Sequence, residues 1–186
     1  FPHYYKEVHM LKRGDPNQKQ EKMSQGFLRV LMHEDKNEMH WQESKPDWAR
    51  TSFRRKSLAD WLVDTDHGAG KLLARVIVNR LWQHHFGRGI VSTPSDFGLQ
   101  GKLPTHPSLL DWLAHQLISN GWRLKPLHKQ IIMSATYAQS AEFVQSKAHA
   151  DPENYLYWRR TPRRLEAEPI RDSLLKISGL LDTTMF

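Results

Sequence analysis

From Lys71 to Phe86 apolar residues return at helical spacing without a break, and Gly87 stops the run. Leu72, Leu73, Val76, Ile77, Leu81 and Phe86 trace one stripe, the pattern of a helix that lays one face on a core. Val76, Ile77 and Val78 are β-branched, so propensity alone would not choose helix there. The length and the period do. Gly87 suits the left-handed residue that closes such a helix. The wider stretch Ala74–Gly98, an apolar helix end, a glycine stop and a polar loop, organises the reading of the rest of the chain.

Further helices follow on the same grounds. Leu58, Trp61 and Leu62 share a face from Arg54 onward, and Asp64–Gly70 punctuates it. After a Gly- and Pro-bearing loop over 88–104, Thr105-His106-Pro107 opens a helix with Leu109, Leu110, Trp112, Leu113, Leu117 and Ile118 on its core face. Asn120-Gly121 ends it. Pro126 begins a fourth, through Leu127, Ile131, Ile132 and Ala135. The segment 140–150 reads as irregular, and Asp151-Pro152 starts a short turn through Tyr157. The last helix runs from about Glu166 to Ser178, with Ile170, Leu174 and Ile177 inward. Residues 1–50 differ: an edge strand over His3–Lys12, a turn at Arg13–Pro16, a loop over Asn17–Gln25, a short strand over Phe27–Met32 and a solvated connector over His33–Asp47. The predicted fold is mainly α, a helical bundle of about five helices, with an irregular N-terminal arm that has room for short β-strands. Its predicted division is an N-terminal extension, 1–50, and a helical core, 51–186.

Seven Trp and a 39% apolar share can support a sizeable core. No apolar run reaches the roughly 20 residues that span a bilayer. Zero cysteines leave no disulfide, no thiolate metal site and no covalent haem attachment in this chain. The net charge of +7 is spread thin: 12 basic and 9 acidic residues in 1–62, 6 and 4 in 63–124, 9 and 7 in 125–186. That dilution argues against nucleic acid as a partner. The chain opens on Phe1 and stops just past a helical segment, and it reads as a piece of a longer protein.

Several catalytic look-alikes fail on their mechanics. Asp96-Phe97-Gly98 lacks the catalytic loop and glycine-rich loop of a kinase. Gly68-Ala-Gly70-Lys71 has Thr65 where a phosphate loop needs Gly, and Leu72 where it needs Ser or Thr. Ser173-Leu-Leu-Lys176 lacks its companion motifs. His84 and His85 are adjacent on a helix, so their side chains diverge by about 100° and do not chelate one ion. No metal is expected. What remains as a catalytic candidate is a polar set of Asn79, Arg80, His84, His85 and Asp96, with Arg75 and Gln83 continuing the stripe. A second candidate, for anions or glycans, interleaves aromatics with arginines from Tyr155 to Arg164: Arg159, Arg160, Arg163 and Arg164. The bland alternative pairs those arginines with Glu166 and Glu168, joined by Arg171 at helical spacing.

At Asn79-Arg-Leu-Trp-Gln-His-His-Phe-Gly-Arg-Gly and Thr93-Pro-Ser-Asp-Phe-Gly the chain resembles the planctomycete-specific C-terminal domain of unknown function, the PSD family. The likeness continues through Thr105-His-Pro-Ser-Leu-Leu-Asp-Trp-Leu-Ala, Gly121-Trp-Arg-Leu-Lys, Ser134-Ala-Thr-Tyr-Ala-Gln-Ser and Asp151-Pro-Glu-Asn. It closes with Arg163-Arg-Leu-Glu-Ala-Glu-Pro-Ile-Arg-Asp. The resemblance implies a place in large, exported bacterial proteins that also carry a cytochrome-c-like module and a second domain of unknown function. It supplies no reaction and no catalytic residues. A c-type haem in such a parent implies an extracytoplasmic, envelope-associated address.

The sequence therefore supports three readings. The first is a non-catalytic helical module that packs on sister domains of its parent or on another protein. The second is a hydrolytic or redox enzyme using the Asn79–Asp96 stretch. The third is an anion or glycan binder using Arg159–Arg164.

Overall fold

The apolar run predicted as a helix is one. A computed structural model, describing residues 7–33, 35–42 and 48–184, places α2 at Gly70–Phe86 and Gly87 after it at φ +87°. The other helices are α1 (Arg54–Val63), α3 (Pro107–Ser119), α4 (Leu124–Ile132), α5 (Gln145–Ala150) and α6 (Ala167–Ile177). The predicted mainly α class holds. The chain divides into two units, one of residues 1–78 and 108–122, the other of 79–107 and 123–186; the division falls inside α2.

In the first unit, β1 (His9–Leu11) pairs antiparallel with β2 (Lys19–Lys22), with an irregular register between His9 and Leu11. The turn predicted at Arg13–Pro16 forms, with Arg13 and Gly14 both at positive φ. β2 corrects the loop expected over Asn17–Gln25. Its Lys-Gln-Glu-Lys sequence holds no apolar residue and every side chain is exposed, so period carried no signal; the ladder alone makes it a strand. The strand expected over Phe27–Met32 is instead a 3-10 turn at Arg29–Leu31. Phe27 is there to pack: its ring stacks on Trp61 at 5.3 Å and meets the Trp41 edge at 5.5 Å. Such aromatic pairs add about 1 kcal/mol beyond area burial. Trp41, 5% exposed, therefore corrects the solvated connector expected over His33–Asp47; residues 1–6, 34 and 43–47 lie outside the described residues.

α1 buries Ser57 and Trp61, while Leu58 is largely exposed, contrary to the shared face predicted. The α1–α2 turn folds back on α1: Ala69 N–H donates to Trp61 O and Gly70 N–H to Asp64 O. A Cβ on Gly68 would lie 2.3 Å from Trp61 O, so the glycines that imitate a phosphate loop serve this close approach. In this unit α2 buries Ala74 and Val78, and α3 buries Leu110, Leu113, Ala114 and Leu117. Trp112, expected inward, is half exposed. Arg75 meets Asp111 at 3.0 Å.

The second unit buries Asn79, Trp82, Ile90, Val91, Leu127, Ile131 and Tyr157. Fully burying one such Leu or Ile is worth about 2 kcal/mol. The buried residues of α2 as a whole, Ala74, Val78, Asn79 and Trp82, lie beside the stripe the sequence suggested; the large aliphatic residues of that stripe are half-buried. α4 buries Leu127 and Ile131 but leaves Ile132 exposed. α5 forms in the stretch expected to be irregular. The last helix forms as predicted but faces otherwise: Ile170, Leu174 and Ile177 are 41%, 63% and 85% exposed, and none of its residues is buried.

Candidate functional site

Asn79 sits fully buried on α2 and reaches the loop beyond Gly87. Its Oδ1 accepts the Val91 N–H at 2.8 Å and its Nδ2 donates to Val91 O at 2.9 Å. Both ends of the amide are therefore spent on one peptide residue. Gly89 passes directly over this clamp: a Cβ there would lie 2.7 Å from either end of the Asn79 amide and 2.6 Å from Val91 O. Tyr157, also buried, donates from its hydroxyl to Arg88 O and Gly89 O, each at 3.2 Å. Burial raises its pKa. Arg163 Nη1 donates to His84 O at 2.7 Å, satisfying a carbonyl in the last turn of α2 where a cation also suits the helix dipole.

The other catalytic candidates do not gather around Asn79. Arg80 and His84 are exposed. Asp96 Oδ1 accepts the Gly98 N–H at 2.8 Å, while Thr93 Oγ1 donates to Asp96 O at 2.8 Å and accepts Lys102 N–H at 3.0 Å. Asp96 thus shapes its own loop, and among the described residues neither His84 nor His85 bonds it. His85 turns instead to His128, Nε2 to Nδ1 at 2.9 Å, with Tyr137 edge-on at 5.7 Å. Burial holds the His85 pKa below the ordinary histidine value, and the neighbouring His128, Arg160 and His84 push it the same way.

The arginines adopt neither predicted arrangement in full. Arg160 lies over the rings of Tyr137 at 4.0 Å and Phe86 at 5.2 Å, and Arg159 over Trp158 at 5.0 Å and Phe143 at 5.3 Å. Cation–π contacts of this kind are worth about 1 kcal/mol or somewhat more when partly desolvated. Arg160 Nη1 and Arg159 Nε are buried without a hydrogen-bond partner among the described residues. Arg164, Glu166 and Glu168 are exposed, and among the described residues the Arg–Glu pairs expected across the start of α6 are not formed. The loop enters that helix in extended backbone at Glu166, its N-cap residue. Arg171 meets Asp172 at 3.4 Å on the surface. A cleft of about 230 Å³ lies next to this layer, lined by Phe86, Arg88, Glu153, Asn154, Tyr157 and Arg163.

The sequence did not single out His128, Tyr137 or Phe143, because the partners of Arg159, Arg160 and His85 lie in segments remote along the chain. Asp151-Pro-Glu-Asn154, expected to start a short turn, is a second clamp. The Asp151 carboxylate accepts the N–H groups of Tyr155 and Leu156, and Asn154 Nδ2 donates to Arg159 O at 2.9 Å.

Asparagine clamps, glycine close approaches and ring-stacked arginines define a helical domain whose most distinctive residues hold its own loops. The model of the PSD1 family, described as "Protein of unknown function (DUF1553)", matches residues 54–186, and the chain belongs to that family. No curated protein and no solved structure matches it.

Proposed function

We propose that this chain is a non-catalytic helical module that packs through α6 on a sister domain of a larger protein. The single observation that carries the reading is α6 itself. Ile170, Leu174 and Ile177 recur at i, i+4, i+7, a spacing that makes one apolar face, and no residue of the helix is buried. Isolated helices shorter than about 12–15 residues are marginal in water, so an 11-residue helix of this kind needs a surface to lie on. Leu165 and Leu180, 60% and 73% exposed, extend the apolar surface at either end. The polar clamps support the same reading, since the side chains of Asn79, Asp96 and Asn154 are occupied with backbone.

The finer setting rests on the resemblance alone: a large, envelope-associated, multidomain bacterial protein of planctomycete type, with a c-type haem on another module. This chain has no cysteine, so it offers no covalent haem attachment. No helix among the described residues is long and apolar enough to cross a membrane.

The double substitution Leu174→Asp with Ile177→Asp tests the packing reading. In the chain alone, stability is expected to change by no more than about 0.5 kcal/mol, because exposed positions are being altered. A loss of roughly 2 kcal/mol or more would place α6 on its own domain instead. Anion or glycan binding at Arg159 and Arg160 is the second reading, favoured by two buried nitrogen atoms that have no hydrogen-bond partner among the described residues. Sulfate titration of Arg160→Leu against the unaltered chain tests it, with equal affinity counting against it.

A further inference from the structure

A polar cluster in the first unit plays no part in the packing proposal. Asp64 ends α1, and its Oδ1 accepts the N–H groups of Asp66 and His67, each at 2.9 Å. Its Oδ2 accepts the Trp41 indole N–H at 2.9 Å and faces His40 Nε2 and His67 Nδ1, each at 3.8 Å. One donor atom from each of His40, Asp64 and His67 lies within 4.8 Å of the other two. The Asp64 side chain is 18% exposed, and those of His67 and His40 are 33% and 39% exposed.

The two 3.8 Å separations are too long for hydrogen bonds. They are close to the edge of a coordination sphere: ligands bound tetrahedrally at roughly 2.0–2.1 Å stand about 3.4 Å apart. Closing the difference takes a few tenths of an ångström at each ring. The carboxylate is already oriented by three N–H donors, as a supported ligand is, and the His40 ring stands edge-on to Trp41 at 4.9 Å. Two imidazoles and one carboxylate suit zinc and its first-row neighbours, whereas calcium and magnesium prefer all-oxygen sets.

We propose that His40 Nε2, His67 Nδ1 and Asp64 Oδ2 bind one divalent transition-metal ion, zinc foremost, with solvent in the fourth position. The ion would act as a clip, joining the segment around Trp41 to the α1–α2 turn. His40 precedes the family-matched residues and the other two ligands fall within them. The proposal uses no residue of α6 and stands or falls apart from the packing reading.

Cobalt(II) titration of the chelator-treated chain tests it, because four-coordinate cobalt gives strong visible bands. One equivalent is expected to bind, to be displaced by zinc and to raise the melting temperature. His40→Ala and His67→Ala are each expected to weaken binding about tenfold or more, with circular dichroism showing that both variants keep their helices. His128→Ala is expected to leave the titration unchanged. No stoichiometric binding, binding that survives both His40 and His67 substitutions, or binding that His128→Ala removes would each overturn the site. Asp64 is left intact in these tests because it also holds Trp41 and the turn.

Discussion

Asn79 holds Val91 by both ends of its amide, N–H to Oδ1 at 2.8 Å and Nδ2 to carbonyl at 2.9 Å, with no exposed surface of its own. That arrangement removes a polar residue from the list of reactive groups and makes it a fastener between α2 and the following loop. Asn79→Ala leaves the Val91 N–H and C=O buried and unpaired, at a cost of about 1–3 kcal/mol for each group. The expected loss is therefore about 3 kcal/mol in urea unfolding followed by tryptophan fluorescence. A loss under about 1 kcal/mol would show that water replaces the amide without penalty.

Two glycines separate crowding from backbone strain. Gly89→Ala drives a Cβ to 2.6–2.7 Å from Val91 O and the Asn79 amide, so the clamp must open; the expected cost is roughly 3 kcal/mol. Gly121→Ala meets no atom within 4 Å but must keep φ near +64°, which costs an L-residue about 1–2 kcal/mol. The check is the order of the two melting temperatures, with Gly89→Ala the lower.

His85 gives stability a pH dependence with a definite sign. Its folded-state pKa is depressed by burial and by the charges of His128, Arg160 and His84. The unfolded chain then binds a proton at higher pH than the folded one, so stability is present above the unfolded value of about 6.5 and is lost as pH falls through the folded value. Urea midpoints are expected to fall between about pH 7 and pH 5, and His85→Gln to flatten that slope relative to the unaltered chain. A slope unchanged by the substitution would assign the effect to other groups.

Glu168, exposed and without a side-chain partner among the described residues, should matter little. Glu168→Ala is expected to shift stability by no more than about 0.5 kcal/mol. Calorimetry showing a loss near 3 kcal/mol would restore the buried arginine network that the sequence allowed.

Much of the fold was legible where period and length agreed. α2 was readable despite Val76–Val78, because its apolar spacing persists through four turns and ends on Gly87. β2 was not, since four exposed polar residues carry no period. α6 was readable as a helix but not in its orientation: an apolar stripe tells a helix to cover something without saying whether that lies within the same chain. The aromatic–arginine interleaving was visible, whereas its outer partners Phe86, Tyr137 and Phe143 arrive through tertiary structure. The His40–Asp64–His67 cluster was hidden for the same reason, because only folding brings His40 beside the α1–α2 turn.

The central claim, that α6 is a docking helix, is tested most directly by amide hydrogen exchange at residues 170–177. The chain alone is compared with the chain joined to the rest of its proposed parent. Alone, these amides are expected to exchange with little protection, because no residue of the helix is buried and only Leu175 is partly covered. With the sister domains present, protection is expected to rise roughly tenfold or more, equivalent to about 1.4 kcal/mol of local stability. Strong protection in the chain alone, or equal exchange in both, would contradict the account.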